Sequence, residues 1–447
     1  MTKPAGTPRK QPEPRRRVKP KYSETRESRG HGSSPLRLSP TTTLRNDIGS
    51  GNIPSSHAGN IWPTPPESAA RTTQSASEST RSFYLGSTSY ASVFAEERPI
   101  PDSLHEQPSK LMNATPSMFN TRMVGSPHCQ MRPVLAIVSK FSPFSLFDNL
   151  VRMYFDVNRA SAFVGPLITS ALPQLRIDLE KLSPDRGDNR VAYMDITRNT
   201  TRPLKVPPNM PASEFHTLFT GQNLRWETLG LMMSIASSIA QYTPPNDPVF
   251  TLANGERIDK DVFVEDLIHA CNDCISLCQV HGAVNDIMIW MMYSNMLVMS
   301  NFYGDNYHGV WRRMGDCITS LYAEGIHCEE NSDEPFFLRE ARRRNYSSVY
   351  RSDKTLATFY GRPPMMSSRY SDRKQPLDLD EEIIITADSE LLNESLSRLD
   401  SNGWDTNGDI WAVSWIKVRG HISQFKEKFL EQSLAGKRDG DVATKLQ

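Results

Sequence analysis

The feature that most constrains this chain is a run of residues, 284–302, that is apolar on every side when it is arranged as a helix. A helix without a polar face must be covered on all sides. The uninterrupted apolar part, residues 287–299, is shorter than the roughly 20 residues that a membrane span needs, and it contains Ser294 and Asn295. The run therefore predicts a helix in the middle of a soluble helical bundle, with no membrane partner.

Other segments with a helical repeat lie on both sides of this run. Phe147, Leu150 and Tyr154 are spaced so that they share one face of a helix over residues 144–157. The same kind of repeat predicts further helices over residues 224–242, 261–280, 307–323, 334–359 and 409–432. Residues 383–385, three isoleucines, form the one short segment that resembles a strand. The pattern predicts an all-α fold with about eight helices in a single large domain.

The composition of residues 1–132 does not fit a packed core. This region is rich in Ser, Thr, Pro, Arg and Gln, and it shows neither the period of a strand nor that of a helix. Such a segment buries too little apolar area to offset the entropy that ordering would cost. We expect residues 1–132 and the tail, residues 436–447, to be disordered, and the folded domain to cover residues 133–435.

Basic residues are concentrated at the start of the chain. Lys+Arg and Asp+Glu are balanced overall at 51 each, so the excess of basic residues near the N-terminus is local. Its centre is a basic arm with five cations: Arg15, Arg16, Arg17, Lys19 and Lys21. Clustered cations in a flexible segment can act as a nuclear-import signal or contact phosphates. The alternative is a solvated charge run without a partner.

The sequence contains no motif that nominates an active site. The patterns G-x-S-x-G, G-x-G-x-x-G, G-x-x-x-x-G-K-[ST] and H-E-x-x-H are all absent. These patterns mark nucleophilic, dinucleotide, phosphate and zinc-protease sites, respectively. We therefore predict that the protein is not an enzyme.

Cys271, Cys274 and Cys278 are the residues that most resemble a metal site. Thiolates at these spacings share one face of a helix, and zinc favours such ligands. The same positions form the apolar face of the helix over residues 261–280, and no fourth ligand can be identified. Because free cysteine is among the most buried residue types, we predict that the three thiols pack in the core. No cofactor is expected in this chain.

The helix predicted over residues 334–359 has clear start and stop signals. Ser332 or Asp333 can cap its first amides, Pro335 is tolerated in its first turn, and Gly361 followed by two prolines ends it.

Within this helix, Glu340 precedes Arg343 and Arg344 by three and four residues, so it can reach both. A basic triplet, residues 342–344, inside a helix with aromatic neighbours is predicted to be partly buried and structural.

Two motifs stand out along the predicted helices. The first motif lies within residues 218–227, and its key positions are Leu224, Arg225, Trp226 and Glu227. The second motif lies within residues 340–363, and its key positions are Glu340, Arg343, Arg344, Asp353, Gly361, Arg362 and Pro363. Together the two motifs resemble the fungal-specific transcription factor domain, the middle homology region of zinc-cluster (Zn2Cys6) regulators of the xylanolytic-activator type. The resemblance extends from about residue 144 to residue 415 and implies that these motif residues support the packing of the domain.

The resemblance implies a nuclear regulator of RNA polymerase II transcription. Its partners would be the transcription machinery, another regulator or a second copy of the chain. Members of the family usually begin with a cysteine cluster that holds zinc and contacts DNA, whereas no such cluster precedes Cys129. The chain is therefore expected to be truncated or to depend on a partner, and to bind DNA by itself only weakly and non-specifically. The alternative is a helical small-molecule-binding protein or an enzyme that reuses the scaffold.

Overall fold

The computed structural model describes residues 137–158, 160–182, 189–252, 254–329 and 333–434. The regular elements in these ranges are helices, which confirms the predicted all-α class. In chain order the α-helices are α1 (Phe144–Val157), α2 (Gly165–Thr169), α3 (Leu172–Lys181), α4 (Arg190–Thr201), α5 (Trp226–Tyr242), α6 (Lys260–Val280), α7 (Asp286–Tyr303), α8 (His308–Ala323), α9 (Phe336–Tyr360), α10 (Glu381–Ile385), α11 (Ser389–Ser397) and α12 (Ala412–Leu434). The predictions for residues 1–132 and for the tail concern residues outside these ranges.

Helices α5 and α7 form the centre of the domain. Every side chain from Trp226 to Ser237 is buried in α5, and every side chain from Asp286 to Met296 is buried in α7. Helix α5 packs against α1, α6 and α7, and α7 also contacts α8. The prediction that the all-apolar run lies inside a bundle is therefore confirmed.

Helix α9 is the longest helix in the described residues, with 25 residues, and it packs chiefly against α12. It begins one residue after Pro335, and no side chain caps its first amides. The predicted cap by Asp333 is therefore wrong, because the helix starts later than the sequence signals indicate. Ser332 lies outside the described residues. At the other end Gly361 has a φ of 61°, in the left-handed region that favours glycine, so the stop signal is confirmed.

The hydrophobic repeat does not predict four of the shorter helices: α2, α3, α4 and α11. Helix α4 shows the reason. Its Val191 and Met194 are 71% and 63% exposed, so its apolar residues do not all lie on one face. Periodicity fails where a helix has fewer than about four turns and exposes part of its apolar surface.

The two remaining differences concern α10 and α12. Residues 383–385 belong to helix α10, so the expected strand is wrong. Glu381 and Glu382 lie in the first turn of α10, where carboxylates are favourable to the helix dipole, and this outweighs the strand preference of the isoleucines. Helix α12 begins at Ala412, three residues later than predicted.

The three thiols of α6 pack in the core, as predicted. Cys271, Cys274 and Cys278 are fully buried, and burial raises the pKa of Cys271 to about 12. A raised pKa disfavours the thiolate that binds metals. Among the described residues, no group of three or more His, Cys, Asp or Glu side chains is arranged so that it could hold a metal ion.

Gly230 allows α5 to approach α6 and α7 closely. A Cβ atom at Gly230 would clash with the Met291 sulfur and would lie 2.9 Å from the Cys274 Cβ. We expect Gly230→Ala to lower the free energy of unfolding by about 1–3 kcal/mol through overpacking. Urea denaturation of the full chain measures this loss.

Gly315→Ala in α8 is the matched control. Its Cβ would meet only the Met365 sulfur, at 3.7 Å, among atoms within 4 Å. Alanine is the better helix former, so this change should be neutral or stabilise by up to about 1 kcal/mol. Equal losses from the two substitutions would contradict the close approach of the helices at Gly230.

Candidate functional site

The first family-like motif lies at the start of α5 and forms a buried polar cluster. Arg225 donates to Glu227 at 3.1 Å and to the carbonyl oxygen of Arg202 at 2.6 Å. Glu227 also accepts hydrogen bonds from Thr200 at 2.8 Å and from Asn285 at 2.9 Å. These contacts join the end of α4, the start of α5 and the residue before α7.

Trp226 strengthens the same junction. Its backbone amide donates to the Thr200 hydroxyl at 3.1 Å, and its indole nitrogen donates to the Thr197 hydroxyl at 3.0 Å. Leu224, two residues earlier, is buried with Trp226 in the core. The motif residues are thus brought together in the structure, inside the domain and away from solvent.

The second motif lies along α9, where each arginine of the triplet has acidic partners. Arg342 donates to Asp286 at 2.8 and 2.9 Å, to Glu334 at 2.9 Å and to Glu324 at 3.1 Å. Burial and the Asp286 carboxylate raise the pKa of Glu324 to about 8, although Arg342 opposes the shift. Arg342 therefore connects α9 with α7 and α8.

Arg343 and Arg344 point to different partners. Arg343 bonds Glu340 at 2.6 Å and also pairs with Glu329. Arg344 pairs with Glu381 and donates to the carbonyl oxygen of Phe163 at 3.2 Å. The prediction that Glu340 reaches Arg343 is confirmed, whereas its pairing with Arg344 is wrong. Arg344 is wholly buried and directed toward α10 and α2, so a contact between distant helices replaces the local one.

Asp353 and Lys354 form a fully buried ion pair at 2.8 Å. The two carboxylate oxygens of Asp353 accept hydrogen bonds from the backbone amides of Met365 and Met366 at 2.9 and 3.0 Å. Lys354 also donates to the carbonyl oxygen of Met366 and lies over the Tyr350 ring. The pair fixes the irregular segment that follows α9.

The remaining motif residues lie at the surface end of α9. Arg362 is exposed, and its guanidinium lies 5.2 Å from the centre of the Trp311 ring and 4.6 Å from that of Tyr360. Pro363 is exposed beside it. Stacked cations at exposed positions contribute about 0.5–1 kcal/mol. The basic arm with Arg15, Arg16, Arg17, Lys19 and Lys21 lies outside the described residues.

The last helix, α12, has two faces of different character. Its inner face packs against α9, and Tyr350 of α9 donates to Glu427 of α12. Burial raises the pKa of Glu427, but hydrogen bonds from Tyr350 and Ser368 outweigh it and hold the pKa below its usual value. Lys417 is also buried and donates to the carbonyl oxygens of Pro376 and Asn402 at 2.9 and 3.0 Å. Helix α12 is therefore held to the domain by polar contacts.

The outer face of α12 bears an exposed apolar stripe that sequence reasoning missed. Its members are Trp415 (49% exposed), Val418 (42%), Ile422 (51%), Phe425 (72%) and Phe429 (56%). Their spacings alternate between three and four residues, which is the spacing of a helix–helix seam. That spacing is visible in the sequence, but it cannot by itself distinguish a stripe that faces the core from one that faces outward.

The unpaired charges beside the α12 stripe are basic. Lys426, which is half-buried, and Lys428, which is exposed, flank Phe425 and Phe429, and neither forms an ion pair within the described residues. The nearby Glu431 is paired with Arg369 at 2.9 Å. The stripe is thus an apolar surface with a basic border, a combination typical of a protein interaction site.

Comparisons with known proteins give one partial similarity. A stretch of 125 residues, 28% of this chain, is 29% identical to part of Pyrimidine pathway regulatory protein 1 of Saccharomyces cerevisiae. The match spans 13% of the length of that yeast protein. No family model matches the chain, and no solved structure matches it. The similarity is to a fungal regulatory protein and not to an enzyme, and it is distant.

No helix in the described part of the chain is both long enough and apolar enough to cross a membrane.

Asp353→Ala should destabilise the protein strongly. The change leaves Lys354 buried without its partner and removes the acceptor of two backbone amides. Breaking a buried pair in this way costs about 3–5 kcal/mol. Thermal and urea unfolding of the full chain measure the loss.

Arg362→Ala is the comparison variant, with an expected loss of at most about 1 kcal/mol, because Arg362 is exposed and its cation stacks on two rings at the surface end of α9. If Asp353→Ala melted as the wild-type chain does, the buried pair would not support the fold.

Proposed function

We propose that this chain is the regulatory part of a fungal transcription regulator, and that it acts by binding another protein through the α12 stripe. The observation that carries the proposal is the exposed 3–4 spaced apolar row on a helix whose other face is fixed to the domain. Contiguous exposed apolar surface on a folded domain marks an interaction site. The similarity to a yeast regulatory protein supports the step to transcription.

The stripe favours a partner helix with acidic flanks. Residues beside such a row determine which helix can pair with it, and here the free ones are Lys426 and Lys428. A second copy would bring these like charges together, whereas an acidic amphipathic helix would pair with them. We therefore propose such a helix, belonging to the transcription machinery or to another regulator, as the partner.

The finer points of this function follow from the family resemblance. We propose a nuclear location, and sequence-specific DNA contact through a partner or through a zinc cluster outside residues 1–447. Weak, non-specific DNA contact by the basic arm is part of the proposal. The absence of catalytic motifs from the sequence supports a non-enzymatic role.

Tethering the full chain to an unrelated DNA-binding domain tests the regulatory role. We expect the fusion to change transcription of a yeast reporter, and Ile422→Asp or Phe425→Asp to abolish that change by placing a charge in the apolar stripe. Gln424→Asp is the control, since Gln424 is exposed on the same helix but outside the stripe. A fusion that leaves the reporter unchanged, or stripe variants that act as the wild type does, would contradict the proposal.

Sedimentation of the purified full chain shows whether the α12 stripe binds a second copy of the chain or is free to bind an acidic partner helix. A monomer is expected, because a second copy would place like charges at the stripe. A stable dimer that Phe425→Asp dissociates would assign the stripe to self-association instead of an acidic partner.

The proposed nuclear location has its own test. We expect the tagged full chain to accumulate in the nucleus, and the variant with Arg15, Arg16 and Arg17 changed to Ala to lose that accumulation. Fluorescence microscopy of a fungal cell measures both. A chain that is distributed through the cytoplasm, with or without the three arginines, would contradict a transcriptional role.

A further inference from the structure

A cavity of about 350 Å³ lies beside the inner face of α12, between α12, α1, α7 and α9. Ligand pockets of small metabolites begin at about this size. The described residues that line it are Tyr154, Val157, Asn158, Ala160, Ala162, Tyr293, Leu297, Ser347, Ser348, Arg351, Ile416 and Arg419. The set combines an apolar wall, several hydroxyl groups and two arginines, and it includes no acidic residue.

Two arginines without acidic partners line this cavity. The arginine triplet of α9 is paired with carboxylates, whereas the guanidinium groups of Arg351 and Arg419 form no ion pair or hydrogen bond with any described residue. Each is partly withdrawn from solvent. Burial, and then the charge of Arg351, lower the pKa of Arg419, which shows that the two cations interact unfavourably.

Cations that converge without a counter-ion are a cost to the folded protein unless an anion binds between them. Arginine presents a planar set of donors that fits carboxylate and phosphate groups. The three arginines at residues 342–344 of α9 have acidic partners, whereas the lining of this cavity includes no acidic residue.

The aromatic residues of the lining are suited to the same ligand. Tyr154 lies in the lining, and its hydroxyl hydrogen-bonds with Ser161 and Asn158. Tyr293 is held in place by Ser352 at 3.1 Å and by the backbone of Ser348 at 3.2 Å. Its ring forms part of the cavity wall, together with the side chain of Leu297.

We propose that this cavity binds a small organic anion, with a carboxylate or phosphate group between Arg351 and Arg419 and an apolar or aromatic part against the Tyr154 and Tyr293 rings. The proposal does not depend on the α12 stripe, because none of the stripe residues lines the cavity. The ligand would be negatively charged and small enough for a cavity of about 350 Å³.

Thermal unfolding of the full chain with sodium phosphate, sodium succinate or sodium benzoate tests the site, with sodium chloride at equal ionic strength as the reference. A bound anion raises the melting temperature in proportion to its occupancy of the folded state. We expect at least one of the three anions to do so beyond the chloride reference. Stabilisation by phosphate alone assigns a phosphate ester, and stabilisation by succinate or benzoate assigns a carboxylate ligand. No stabilisation by any of them overturns the proposal.

Substitutions separate binding from a structural role. Arg351→Gln and Arg419→Gln should each lower the affinity for the anion at least about tenfold, since a charge-assisted contact is lost. Calorimetry measures this affinity. In the absence of anion each should melt at or above the wild-type temperature, because a like-charge contact is removed. Arg351→Lys keeps the charge but not the planar donors, so its affinity should be intermediate.

The control is Arg312→Gln, an exposed arginine on α8 away from the cavity, which should bind the anion as the wild type does. Unchanged affinity in Arg351→Gln and Arg419→Gln would overturn the proposal. A lowered melting temperature of both variants without anion would also overturn it, because the arginines would then serve the fold itself.

Discussion

The domain depends on buried charge along one helix. Helix α9 places Arg343, Arg344, Asp353 and Lys354 in the interior and Arg342 at its edge, and each has a partner of opposite charge. Unpaired, such groups would cost several kcal/mol each, so the acidic residues must occupy definite places for the chain to fold. The acidic partners of the three arginines come from α7, from α10, from the segment between α8 and α9, and from α9 itself. Helix α9 therefore fixes the positions of these elements.

This constraint explains how an irregular segment and helix α12 are attached to the domain. The segment after α9 is held by hydrogen bonds to Asp353 and Lys354. Helix α12 is attached to α9 by the hydrogen bond between Tyr350 and Glu427. Because the inner face of α12 is the one attached to α9, the apolar stripe on its outer face is exposed to solvent. The same helix contributes Ile416 and Arg419 to the cavity, so α12 separates the proposed anion site from the proposed partner surface.

The sequence predicts those parts of the fold in which local periodicity and burial coincide. Helix α1 has the predicted bounds, because its apolar residues share one face and that face is buried. The contact between Arg342 and Asp286, 56 positions apart, follows from no spacing rule. The outward orientation of the α12 stripe cannot be predicted from the sequence for a similar reason. A row such as Trp415 to Phe429 looks the same whether it faces a core or solvent, and only the packing of the other helices decides between them.

Hydrogen exchange at the backbone amides of Met365 and Met366 in the full chain tests the central claim most directly, because these amides lie outside any helix and donate to the buried carboxylate of Asp353. If buried charge on α9 organises the domain, both should exchange as slowly as the amides in the middle of α9, at rates set by opening of the whole domain. Exchange at the rate of an unprotected loop would contradict the account.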